Sequence, residues 1–191
     1  VVTNARFAAS VQAWADARDG RLAPVAHDDR TTSNDDRLGA IGDMLFVVEQ
    51  AAIDDDLLVI AGDNLFDFRL AELVSFWRTK GLASAVAVRD VGSLELASHY
   101  GVVELDDDGR MRSFVEKPAD PVSSLAATAT YVFHRVHVRL LGPYLEGPSA
   151  STGPHEGDGD GAAVRANVPD DLPPDELTLA KARELLANPR S

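Results

Sequence analysis

The sequence predicts an α/β fold, and three observations carry that reading. Leu57-Leu58-Val59-Ile60-Ala61 is an uninterrupted apolar run of strand length, the pattern of a strand buried on both faces as in parallel sheets. Helical and strand-like periods alternate around it, from a helix pattern over 38–53 to another built on Leu70, Leu73, Val74 and Trp77, then an apolar run over 83–88. Beyond Tyr100, two short strand-like runs are joined by Asp106-Asp107-Asp108-Gly109, and Asp-Gly between such runs marks a β-hairpin.

The elements follow in order. Val1 and Val2 are β-branched and meet a helix-start signal, Thr3-Asn4, at once. An opening inside a buried strand, without Met, leads us to expect an upstream segment. Phe7, Val11 and Trp14 at helical spacing predict a helix to about Ala17, ended by Arg18-Asp19-Gly20. A short strand is expected over 22–26, then a polar loop over 27–36. In the helix over 38–53 (Leu38, Ile41, Leu45, Val48, Ala52), Gly39 and Gly42 weaken the first turn, and close backbone approach is a reason to keep them. The strand over 57–61, the helix around Leu70, the strand over 83–88, the hairpin strands 102–105 and 111–115, a strand over 127–133 and a helix over 138–145 complete the pattern. Residues 147–174, dense in Gly, Pro, Ser and Asp, read as a linker or disordered segment, and a short helix is expected over 175–187. The organisation is therefore one domain over 1–146, a linker over 147–174 and a short helical segment over 175–191.

Composition excludes several classes. The 191 residues carry a formal charge of −13, which repels nucleic acid and anionic membrane surfaces. A mean hydropathy of −0.10 excludes an integral membrane protein, and a cytoplasmic location is the expectation. Cysteine is absent, which removes disulfides, thiolate nucleophiles and Cys-ligated metals. His134 and His137 lack the Glu context of a zinc-protease helix, Gly157-Asp158-Gly159-Asp160-Gly161 is acidic and follows no strand, and no Gly-x-Ser-x-Gly elbow is present.

Three constellations remain. Asp63 ends the apolar strand, where ligands bind in open α/β sheets, and its acceptor-only carboxylate suits Mg²⁺; capping of the following helix or turn is the competing reading. Glu116-Lys117-Pro118 follows strand residues Phe114-Val115. One side chain there can accept from hydroxyls while the other neutralises a phosphate, and Pro118 is expected to hold Lys117 extended; an exposed ion pair is the alternative. The polar run Asn34-Asp35-Asp36-Arg37 enters a Gly-containing helix start, where backbone N–H groups can receive a base edge or phosphate or where Asn and Asp serve only as caps. Gly101, beside Tyr100, permits close approach of a ligand to the backbone.

Taken in order, Val2-Thr3-Asn4, Leu38-Gly39-Ala40-Ile41-Gly42-Asp43, Ile60-Ala61-Gly62-Asp63-Asn64-Leu65-Phe66, Tyr100-Gly101-Val102-Val103-Glu104, Phe114-Val115-Glu116-Lys117-Pro118 and residues 127–133 resemble the sugar-nucleotide pyrophosphorylases. The likeness covers residues 1–145 and is closest to glucose-1-phosphate thymidylyltransferase and uridylyltransferase types. It implies a Rossmann-like, mixed and mostly parallel sheet flanked by helices, with the hairpin as an insertion. It also implies a nucleotidyl transfer from a nucleoside triphosphate (dTTP or UTP) to a sugar 1-phosphate, with Mg²⁺ as cofactor and a homo-oligomer as a possible assembly. Position by position, the resemblance makes Asp63 the metal ligand and a catalytic residue with Lys117. It makes Glu116 the sugar-hydroxyl acceptor, Lys117 the sugar-phosphate cation, Tyr100, Gly101 and Tyr131 the sugar pocket, and Leu38 and Gly39 the nucleotide-base contacts. Two departures stand out: the family's Gly-rich triphosphate loop belongs upstream of Val1, and its second metal-binding Asp has no counterpart after Leu145. A non-catalytic module that keeps only the sugar-phosphate pocket is therefore the rival expectation.

Overall fold

The computed structural model describes residues 1–20, 23–64 and 66–146, so the expected linker and final helix lie outside the described residues. The chain forms two compact units, Val1–Asp54 and a second beginning at Asp55.

In the first unit, β1 (Val2–Thr3) pairs in parallel with β2 (His27–Asp28), Val2 opposite His27. The expected strand over 22–26 thus lies further along, because pairing with β1 selects it: the His27 N–H donates to Val1 O at 2.8 Å and the Asp29 N–H to Thr3 O at 2.9 Å. Helix α1 (Ala5–Asp16) begins where the sequence signals it, with Asn4 Oδ1 accepting the Phe7 N–H. Helix α2 (Gly39–Gln50) starts at Gly39, whose φ is +73°. A Cβ on Gly42 would lie 2.8 Å from Leu38 Cβ, so Gly42 answers a close approach within its own helix.

The second unit is built on a five-stranded sheet of β3 (Leu57–Ile60), β4 (Ala85–Asp90), β5 (Gly101–Leu105), β6 (Met111–Glu116) and β7 (Leu125–Phe133). The α/β class holds, but the mostly parallel sheet does not: every pairing in this sheet is antiparallel among the described residues. The reason lies in β7, which runs opposite to both β3 and β4 and separates them, so two strands of like direction never touch. Nor is β3 buried on both faces. It pairs only with β7 among the described residues, and Leu58 and Ile60 remain 43% and 39% exposed.

Helix α3 (Leu70–Arg78) buries Leu73, and the Trp77 Nε1–H donates to Ala83 O at 2.8 Å. A short helix α4 (Leu94–Ala97), which apolar periodicity does not announce, is capped by Ser93 and leads to Tyr100. The single helix expected over 138–145 is two, α5 (Arg135–Val138) and α6 (Leu141–Glu146). Asp56, just ahead of β3, accepts the Arg135 N–H at 2.8 Å, which ties the start of α5 to the strand its neighbour β7 pairs with. Val102, Val103, Ala126, Thr130, Val132, Val136 and Val138 form the buried core.

Candidate functional site

Strand alternation separates two faces of β7. Ala126, Thr130 and Val132 point into the core, whereas Ala127, Ala129 and Tyr131 line a cavity of about 380 Å³ together with Asp63, Asn64, His99, Tyr100, Gly101, Phe114, Glu116 and Thr128. The cavity is within the size range of small-molecule sites. Five predicted residues, Asp63, Tyr100, Gly101, Glu116 and Tyr131, therefore meet around one space within the second unit.

Gly101 is required by its neighbours. It stands opposite Glu116 across the β5–β6 ladder, and a Cβ there would lie 2.6 Å from Phe114 Cζ and 2.9 Å from Glu116 Oε2. The missing side chain lets the Phe114 ring and the Glu116 carboxylate lie on the backbone. Burial, and then the Glu116 charge, raise the Tyr131 phenol above its ordinary pKa, which keeps it a neutral hydrogen-bonding group. Tyr131 also stacks on Phe133 at 5.4 Å.

Asp63 sits in the turn closed by the Asn64 N–H donating to Ala61 O at 3.3 Å. It does not cap α3, whose N-cap position is Arg69, so the helix-capping alternative falls away. Asp63 is exposed and lines the cavity, as does Asn64. Among the described residues no three His, Asp or Glu side chains gather as a closed metal site. Oxygen donors of this kind fit a hard cation such as magnesium.

Lys117 is not among the cavity-lining residues, although it follows Glu116 directly. Nor is it extended: its φ is +44°, in the left-handed region. The Lys117 N–H donates to Tyr100 O at 3.0 Å, which carries the ladder one step past β6 and turns the chain at that residue. Leu38 and Gly39 belong to the first unit. Just before them, Asp36 accepts the N–H and hydroxyl groups of both Thr32 and Ser33, and the backbone donors hold its carboxyl down at about 2.

His99, Thr128, Ala127 and Ala129 join the site without having been singled out. His99 lies in the short connection after α4, where no periodicity betrays it. The small residues of β7 look like ordinary strand packing until the fold turns one face toward the cavity.

No helix among the described residues is long and apolar enough to cross a membrane. The sequence model of the Nucleotidyl transferase family matches residues 15–156. A UTP–glucose-1-phosphate uridylyltransferase of Synechocystis sp. is 36% identical over 99 residues, 50% of this chain and 25% of that protein. A glucose-1-phosphate adenylyltransferase of Clostridium acetobutylicum is 31% identical over 90 residues, 47% of this chain and 23% of that protein. The chain thus spans about a quarter of the length of these relatives. The fold is shared with a Bacillus anthracis protein described as a glucose-1-phosphate thymidylyltransferase in complex with a sucrose, at a TM-score of 0.56 and 20% identity over 78% of this chain and 56% of that one.

Proposed function

Because this chain belongs to the Nucleotidyl transferase family, by a match over residues 15–156, we propose that it carries the sugar pocket of a sugar-1-phosphate nucleotidyltransferase. Glucose 1-phosphate is the sugar substrate in this reading, and UTP or dTTP the nucleotide. The observation that carries it is the composition of the cavity: Glu116 and Asp63 are acceptors for hydroxyl donors, and Tyr100, Phe114 and Tyr131 supply aromatic surface. Hydroxyl-rich rings with apolar C–H faces match that lining, whereas no Lys or Arg lines it to receive a free phosphate.

In the reaction an oxygen of the sugar phosphate attacks the α-phosphorus of the nucleoside triphosphate. A new P–O bond forms as the bond to pyrophosphate breaks, and no covalent enzyme intermediate is needed. Catalysis of this kind is positioning and charge neutralisation. Glu116 accepts hydrogen bonds from the sugar hydroxyls, with its carboxylate lying over Gly101, where a side chain would displace it. The aromatic walls offer apolar surface to the sugar ring. Lys117, next in the chain but outside the cavity lining, would meet the sugar phosphate only where it projects beyond the pocket. Asp63 would hold Mg²⁺, which lowers the negative charge of the phosphates when bound.

Titration calorimetry with glucose 1-phosphate, with and without Mg²⁺ and a nonhydrolysable UTP analogue, tests the reading, alongside pyrophosphate release from nucleoside triphosphates. Binding that weakens at least about tenfold in Glu116→Gln is expected, the loss of charge-assisted hydrogen bonds. No binding of any sugar 1-phosphate under either condition would overturn it.

A further inference from the structure

Ala129 stands in the middle of β7 with φ +48°, a backbone conformation that favours glycine. The ladder is disturbed at the same place. From Val86 to Val88 on β4 the partners run from Tyr131 to Ala127 on β7, so β7 carries extra residues opposite a shorter stretch of β4. The Thr128 hydroxyl donates to Ala87 O at 2.9 Å, which satisfies a carbonyl that the bulge leaves out of the ladder. On the other side of β7, Ala129 O accepts the Ala61 N–H at 3.0 Å, two residues before Asp63.

The bulge needs the backbone of residue 129, but nothing in it needs the methyl group. Glycine would hold the same conformation with less strain. The methyl does not fill the core either, since the core side of β7 is made by Ala126, Thr130 and Val132, and Ala129 is only half-buried. What Ala129 does border is the cavity. We propose that Ala129 is a specificity-determining residue of the sugar pocket, its methyl group narrowing the β7 wall against sugar 1-phosphates that carry a bulky ring substituent. The inference rests on the proposed sugar-binding reading and specifies which sugars that site accepts.

The size of the effect follows from how pockets discriminate: one methyl-sized group in a close-fitting wall changes relative affinity by about tenfold or more. The test compares dissociation constants of glucose 1-phosphate and N-acetylglucosamine 1-phosphate, whose acetamido group supplies the bulk, for the full chain, Ala129→Gly and Ala129→Ser. Both ligands are measured with Mg²⁺ and a nonhydrolysable UTP analogue present. The expected result is a roughly tenfold shift of the ratio toward the acetamido sugar in Ala129→Gly, while Ala129→Ser, of similar volume, keeps the original preference. A purely structural role would raise the melting temperature of Ala129→Gly and leave the ratio unmoved; that outcome overturns the inference and spares the sugar-binding reading. Failure of both ligands to bind the unmodified chain overturns both.

Discussion

Gly101→Ala is the perturbation that most directly tests how the pocket is assembled. The new Cβ would lie 2.6 Å and 2.8 Å from Phe114 Cζ and Cε2, and 2.9 Å from Glu116 Oε2. The nearest of these is about 0.8 Å inside the 3.4 Å at which ordinary contact begins. The ring must give by about 0.8 Å and the carboxylate by about 0.5 Å, and both line the same cavity. Overpacking of this kind costs about 1–3 kcal/mol. At about 2–4 °C per kcal/mol, that lowers the melting temperature by a few degrees to about 10 °C and leaves a folded protein. The functional loss is larger in proportion, because a displacement of about 1 Å in a positioning group costs on the order of 100-fold. Calorimetry with glucose 1-phosphate and a thermal melt on the same sample separate the two effects. Binding that survives unchanged beside the expected drop in melting temperature would refute the idea that Gly101 seats Glu116 for the ligand.

Other outcomes follow from the same geometry. Under the proposed reading, Asp63→Asn should reduce Mg²⁺-dependent pyrophosphate release by about 100-fold or more with an unchanged melting temperature, because the side chain is exposed and caps no helix; unchanged turnover would remove the proposed metal role. His137 Nδ1 and the Ser84 hydroxyl share a hydrogen bond of 2.6 Å, while Ser84 Oγ accepts the His134 N–H at 3.1 Å. Burial, and then the His134 charge, push the His137 pKa below its ordinary 6.5. The unfolded chain therefore takes up this proton first as pH falls, so stability is lost from about pH 6.5 downward through the lowered folded value. Ring titration followed by NMR at or above pH 6.5 would contradict this. Asp36 shows the other acidic case: its carboxyl lies at about 2 in the folded chain against 3.8 ordinarily, so its contribution is complete above about pH 4 and disappears as pH falls toward 2. Asp36→Ala should remove that acid sensitivity and increase hydrogen exchange at Thr32 and Ser33.

The local elements were readable because their signals are local. The Asn4 cap, the Asp-Gly turn before β6 and the apolar spacing of α3 each act within a few residues, and all three appear where expected. Strand order is set by partners distant in the chain. An apolar run such as Leu57 to Ala61 records only the wish to be covered, so it suggested burial on both faces where, among the described residues, β7 alone pairs with it. The same limit hid the parallel partner of β1 at His27 and the antiparallel sense of the larger sheet. Within the site, the residues with distinctive chemistry and neighbours were visible in sequence, namely Asp63, Tyr100, Gly101, Glu116 and Tyr131. Lys117 was visible as a cation but not as a left-handed residue, because the carbonyl that accepts its N–H belongs to Tyr100, far back in the chain.

The free flank of β3 has consequences for handling the protein. A short strand that pairs along one edge alone among the described residues, with half-exposed Leu58 and Ile60, is a template to which another strand can add. Asp54, Asp55 and Asp56 stand immediately before it, and the whole chain is acidic. Arg135 pairs with Asp55 and Asp56 at 3.9 and 3.8 Å, but the chain as a whole carries −13, so two copies approaching along this flank still repel through their net charge. This protection is electrostatic and therefore weakens as salt is added. Concentrated stocks should stay dispersed longest at low ionic strength.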